Sequence, residues 1–133
     1  MSENLRVSSA LTVAQAGFAA WRRGDFDTLE QIFAPDVEWR WFEPGDWDCH
    51  NRDDVMRTLR QRYAAGFAAG RLDLRDAGPD VVVATAHPRE IGGPEWPEET
   101  STVIRFRDGR VFSMQDYPTE AEALAASGGG QRE

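Results

Sequence analysis

The chain has 133 residues, 41% of them hydrophobic and 11% aromatic, which is the size of one domain that buries about two-thirds of its unfolded surface around a single core. A formal net charge of −8 argues against a nucleic-acid partner, because phosphate backbones are held by clustered Lys and Arg. The single Cys49 excludes an internal disulfide and a thiolate zinc cluster, no apolar run approaches membrane-spanning length, and residues 1–6 lack a signal peptide's apolar region, so the expected compartment is the cytoplasm.

Ser8 or Ser9 can cap a first helix, whose apolar positions Val13, Ala16, Phe18 and Trp21 recur at roughly helical spacing, and Gly24 stops it. Asp25 then caps a short second helix with the stripe Phe26, Leu29, Ile32 and Phe33, and Pro35 is expected to end it. From Val37 the period becomes two, which predicts a strand with Val37, Trp39 and Trp41 on one face. Residues 43–51 carry turn chemistry and read as a loop with room for a short strand. Asn51 or Asp53 caps a third helix, with Val55, Leu59, Tyr63 and Phe67 on one face and Arg57, Arg60 and Arg62 as a solvated set on the others.

Leu72 to Asp76 and Val81 to Thr85 are predicted as a hairpin around Gly78-Pro79-Asp80. Pro88 to Glu98, with three prolines and two glycines, reads as a long exposed loop in which Trp96 is a lid or an interface anchor. Thr100 to Arg107 and Arg110 to Tyr117 flank Asp108-Gly109, a strong hairpin signal, and a closing helix over Thr119 to Ala126 follows Pro118. Helices around one early strand, followed by a run of antiparallel strands, make an α+β domain over residues 1–126, with 127–133 as a flexible tail.

The same order carries Trp21-Arg22-Arg23-Gly24-Asp25-Phe26-Asp27, then Ile32-Phe33-Ala34-Pro35-Asp36-Val37-Glu38, and late Phe106-Arg107-Asp108-Gly109-Arg110-Val111. It resembles the nuclear transport factor 2-like superfamily and, more narrowly, its SnoaL-like and ketosteroid isomerase-like branch, over about residues 8 to 126. The resemblance implies a cone, in which a curved mixed or antiparallel sheet wraps around helices and encloses an internal pocket for a small apolar molecule. It also implies a homodimer through the convex sheet face. The fold hosts isomerases, epoxide hydrolases, polyketide cyclases and non-catalytic binding domains, so the site residues must decide among them.

Relatives that isomerise steroids use an Asp base near the end of the first strand, with a Tyr and a protonated Asp as oxyanion hole. On the Gly24-Asp25 and Asp108-Gly109 anchors these positions fall on Trp41, near Gly17 and near Thr102, and none of the three can take over the role. Asp116 instead occupies the last-strand position where SnoaL-like cyclases and limonene-type epoxide hydrolases carry an acidic catalytic residue. Strand parity would turn Phe112, Met114 and Asp116 inward, and a carboxylate among apolar groups has a raised pKa suited to acid–base work. The plainer role for Asp116 is to cap the closing helix or pair with an Arg at the rim. The Arg between two Asp residues that the epoxide hydrolases use is not reproduced by His87, Arg89 and Glu90.

His50 and His87 are the two histidines, and either can supply a second polar contact. The run Asp46-Trp47-Asp48-Cys49-His50 matches no zinc spacing, so no metal is expected, and without a dinucleotide or phosphate fingerprint no cofactor is expected either. Trp21, Trp39, Trp41, Tyr63 and Met114 are the remaining candidate substrate contacts, each of which has a place in the core as its alternative. The sequence therefore allows three readings: a cofactor-free acid–base enzyme working through Asp116, a non-catalytic small-molecule binder, and a homodimeric interaction protein. A cavity that reaches Asp116 would favour the first.

Overall fold

The computed structural model describes residues 9–43, 45 and 48–128. Ser8, the loop residues Asp46 and Trp47, and the tail beyond 128 lie outside the described residues. Helix α1 (Ser9–Arg22) leads to α2 (Phe26–Gln31), strand β1 (Phe33–Arg40) and helix α3 (Arg52–Ala64). Strands β2 (Leu72–Gly78) and β3 (Val81–Ala86) follow, then a helical turn α4 (Arg89–Gly92), strands β4 (Thr100–Arg107) and β5 (Arg110–Tyr117), and the closing helix α5 (Glu120–Ser127). The sheet order is β1-β5-β4-β3-β2, with β1 parallel to β5 and the other pairs antiparallel. This is the expected α+β fold with a mixed sheet curled on helices.

Local chemistry sets the corners. Gly24 takes φ +76°, a left-handed conformation that costs a residue with a Cβ about 1–2 kcal/mol, and turns the chain between α1 and α2. Asp25 caps α2 by accepting from the backbone N–H of Thr28 at 3.2 Å and from its hydroxyl at 2.8 Å. Asn51 does the same for α3 through the N–H of Asp54 at 2.9 Å, and Thr119 for α5 through Glu122 at 3.2 Å. At the β4–β5 turn Asp108 and Gly109 have φ of +56° and +80°, the backbone required by a two-residue hairpin whose twist matches its strands.

Four expectations are corrected here. Helix α2 ends at Gln31, and Pro35 lies inside β1. The strand tolerates it because β1 is a sheet edge and its register with β5 shifts between Phe33 and Glu38, so the missing N–H breaks no ladder. Helix α3 stops at Ala64, and Phe67 starts a separate 3₁₀ turn (Phe67–Ala69) after Gly66. In α1 the buried positions are Ala10, Ala14, Gly17, Ala20 and Trp21, while Ala16 faces out. The proline-rich loop contains the α4 turn, against which Trp96 folds back beside Phe67, ring centroids 5.1 Å apart.

The main core lies between one sheet face and the helices. Val37 and Trp39 of β1, Met114 and Val111 of β5, and Ile104 and Phe106 of β4 meet Trp21 of α1, Leu29 of α2, and Val55 and Leu59 of α3. Burying each aliphatic side chain of this kind stabilises the fold by about 1.5–3 kcal/mol. On the outer sheet face, Val83 and Val103 are covered by Ala123 of α5. Arg75 pairs with Glu120 across 3.1 Å, and the Glu120 N–H donates to Glu99 at 2.7 Å, which fixes the start of α5 on the sheet. Among the described residues no helix is long and apolar enough to cross a membrane.

Candidate functional site

The sheet register brings the site together. Thr102 of β4 is the direct cross-strand partner of Asp116 on β5, and Trp39 of β1 is the partner of Met114, two residues before Asp116 on the same face. Asp116 is 4% exposed. Its Oδ1 accepts from the Trp39 indole N–H at 2.9 Å and from the Thr102 hydroxyl at 2.7 Å. Oδ2 accepts no hydrogen bond among the described residues, and no fully buried polar side-chain atom there lacks a partner. Oδ2 therefore keeps a little accessible surface, and it is the oxygen that carries the proton when the group is neutral.

Burial pushes the Asp116 carboxyl above its ordinary range. The Thr102 and Trp39 hydrogen bonds and the charge of Arg62 pull the other way without cancelling that effect, while Asp48 adds to it. The group neither caps α5, which Thr119 does, nor forms an ion pair within 4.0 Å among the described residues.

Arg62 corrects the expectation of a solvated arginine set. Arg57 pairs outward with Asp54 at 2.8 Å, and Arg60 lies over Phe26 at 4.6 Å from the ring centroid. Arg62, however, turns inward, its Cζ 4.6 Å from the centroid of the Trp39 ring. Burial pulls its pKa down, and the negative fields of Asp116 and Cys49 oppose that shift. A guanidinium stays protonated even so. The signal was present in the sequence: at about 100° per residue, Arg62 falls roughly 20° from Val55 around α3, inside the buried stripe, whereas Tyr63 falls roughly 80° away. Cys49 joins the same cluster through a bridge to Trp39, and burial pushes its thiol up.

The other expected contacts scatter. Met114 is buried beside Trp39 as expected. Phe112 does not share the inward face with Met114 and Asp116. Arg105 pairs with Ser113 and Phe106 with Val111, so Phe112 is the extra residue of a bulge, and it lies under Arg107 at 4.8 Å. Trp21 is core, its indole N–H donating to the Leu59 carbonyl at 2.9 Å. Trp41 lies beyond the end of β1, half-buried and stacked on Phe42 with centroids 4.3 Å apart. Tyr63 is 39% exposed and meets Phe26 edge-on, on the outer side of α3. His50 is exposed, and His87 binds Asp73 at 2.9 Å near the far edge of the sheet. Neither histidine accompanies Asp116.

Two open grooves lie on the helical side. One, of about 810 Å³, is lined by Tyr63, Gly66, Ala69, Arg71 and Leu72 among others, and the second, of about 490 Å³, by Met56, Arg60 and neighbours. Neither is lined by Asp116, Trp39 or Arg62.

The family model described as the SnoaL-like domain matches residues 14–114. The chain belongs to the SnoaL-like family. It is thereby part of the nuclear transport factor 2-like superfamily, as the sequence order indicated. No curated protein matches this SnoaL-like chain. Among solved structures it is similar to a nuclear transport factor 2-like protein of unknown function from Burkholderia xenovorans, at 20% identity and TM-score 0.62, covering 82% of this chain and 81% of that one. It is similar to another from Burkholderia pseudomallei at 20% identity and TM-score 0.58, covering 90% and 97%. A protein titled a putative polyketide cyclase, from Sinorhizobium meliloti, matches at 18% identity and TM-score 0.60, covering 80% and 94%. These likenesses concern the fold. Asp116 lies two residues beyond the family match.

Proposed function

We propose that this SnoaL-like chain binds a small, mostly apolar molecule and performs cofactor-free acid–base chemistry on it through Asp116, in a cyclisation, isomerisation, dehydration or hydrolysis. The observation that carries this reading is the asymmetric carboxyl. Oδ1 is fixed by Trp39 and Thr102, while Oδ2 has no hydrogen-bond partner among the described residues. A desolvated carboxyl with a raised pKa and one free oxygen can take a proton from a substrate carbon or hydroxyl and return it elsewhere. Trp39 and Met114 supply the apolar walls beside it.

A non-catalytic binder, or a homodimeric interaction protein, is the second reading. It is favoured by the two open grooves away from Asp116 and by the exposed Trp96, at 45%. The test is carbon-bound hydrogen exchange in D₂O over a panel of small carbonyl compounds, followed by mass spectrometry. The enzyme reading predicts exchange that Asp116→Asn slows by about 10² or more. Equal rates in the two proteins would sink it, and a panel on which the wild type exchanges nothing favours the second reading.

A further inference from the structure

Drawing a guanidinium into a protein interior costs desolvation energy unless its donors are met. Arginines on the surface of this chain show the usual solution: Arg57 pairs with Asp54, Arg71 with Glu90 and Arg107 with Asp36. Arg62, half-buried, has its Cζ 4.6 Å from the centroid of the Trp39 ring and no hydrogen bond or ion pair to any described residue. Asp116 and Cys49 act on it only through their fields.

We propose that Arg62 anchors a ligand bearing a carboxylate, whose apolar body lies along Trp39 and Met114 with its reacting atom toward Oδ2 of Asp116. The inference rests on the acid–base reading of Asp116 and adds the class of molecule on which it acts. A guanidinium presents its N–H groups as a planar fork that matches a carboxylate with two parallel hydrogen bonds. The Trp39 ring lies 4.6 Å from the Arg62 Cζ, and its indole N–H is tied to Asp116 at 2.9 Å, so one side chain sets the spacing between anchor and proton-transfer group. On a chain of net charge −8, an inward cation held without a counter-ion among the described residues is a local inversion of sign that favours an anion.

The test compares two planar probes of one shape, 2-naphthoate and 2-naphthamide, titrated into the intact chain by tryptophan fluorescence. The Trp39 indole N–H resonance, assigned with Trp39→Phe, reports where they bind. The expected result is that naphthoate binds at least about tenfold more tightly than naphthamide, since a hydrogen bond to a charged group contributes roughly that factor or more. Arg62→Met should abolish the preference while keeping naphthamide binding, and Arg62→Lys should restore part of it. Equal binding of the two probes, with the Trp39 resonance moving, overturns the carboxylate anchor and leaves the Asp116 site standing. A Trp39 resonance that moves with neither probe overturns both. If Arg62→Met does not fold, the wild-type preference between the two probes decides alone.

Discussion

Replacing Thr102 by Val keeps the β-branched shape of the strand residue and deletes one hydroxyl, which donates to Oδ1 of Asp116 over 2.7 Å. A hydrogen bond to an ionised acceptor contributes roughly 1.5–3 kcal/mol, against about 0.5–1.5 for a neutral one, so the cost of the change depends on whether Asp116 is charged. The hydroxyl lowers the Asp116 pKa, so its loss raises that value further and the native state takes up more protons than before. The destabilisation should therefore be small at acid pH and grow by about 1 kcal/mol once the pH exceeds the raised pKa. In urea unfolding followed by tryptophan fluorescence, that increment moves the midpoint by roughly half a molar, at a slope of about 2 kcal/mol per molar. The measurement is the difference between variant and wild type on the acid and the alkaline side of the Asp116 titration, located by following its carboxyl by NMR. A difference that stays the same at both would refute the assignment of Thr102 to the charged form of Asp116.

Asp116→Asn keeps an acceptor for Trp39 and Thr102 while removing the titration. In the wild type, the folded pKa lies above the unfolded value of 3.8, so the stability due to this group is fully present below 3.8 and lost as pH rises through the raised value. The Asn variant should gain on the wild type across that window in melts from pH 4 to 8, and parallel curves would contradict it. Gly24→Ala places a Cβ in a left-handed conformation, 2.9 Å from the Tyr63 hydroxyl. It should cost about 1–2 kcal/mol in urea unfolding, and no change in midpoint would show that the α1–α2 corner can relax.

The parts of this fold written in short-range chemistry were legible. Asp25, Asn51 and Thr119 are capping residues next to periodic runs, and Asp108-Gly109 can hardly be anything except a hairpin turn. What escaped depends on neighbours distant in sequence. Pro35 halts a helix in isolation, but pairing of Phe33 with Val111 had already begun a strand at the edge of the sheet. Phe112 shifts the strand parity because β4 and β5 pair with a one-residue excess. Within the site, the hydrogen bond between Trp39 and Asp116 spans 77 residues and has no local signature. Thr102 is too weak a donor for an oxyanion hole, yet in the fold its hydroxyl is what grips the carboxyl. Arg62 has the charge of a solvated residue and the helical phase of a buried one, and in the fold the phase prevails.

The bulged, proline-bearing edge strand also bears on how this molecule behaves among its own copies. An open sheet has two unsatisfied borders, each a template on which another chain can add a strand. On one border, Pro35 offers no donor, Asp36 points outward to Arg107, and the register breaks over the same few residues. On the other, β2 exposes Asp73, Arg75 and Asp76. Neither rim offers the flat, uncharged ladder that strand-by-strand growth requires.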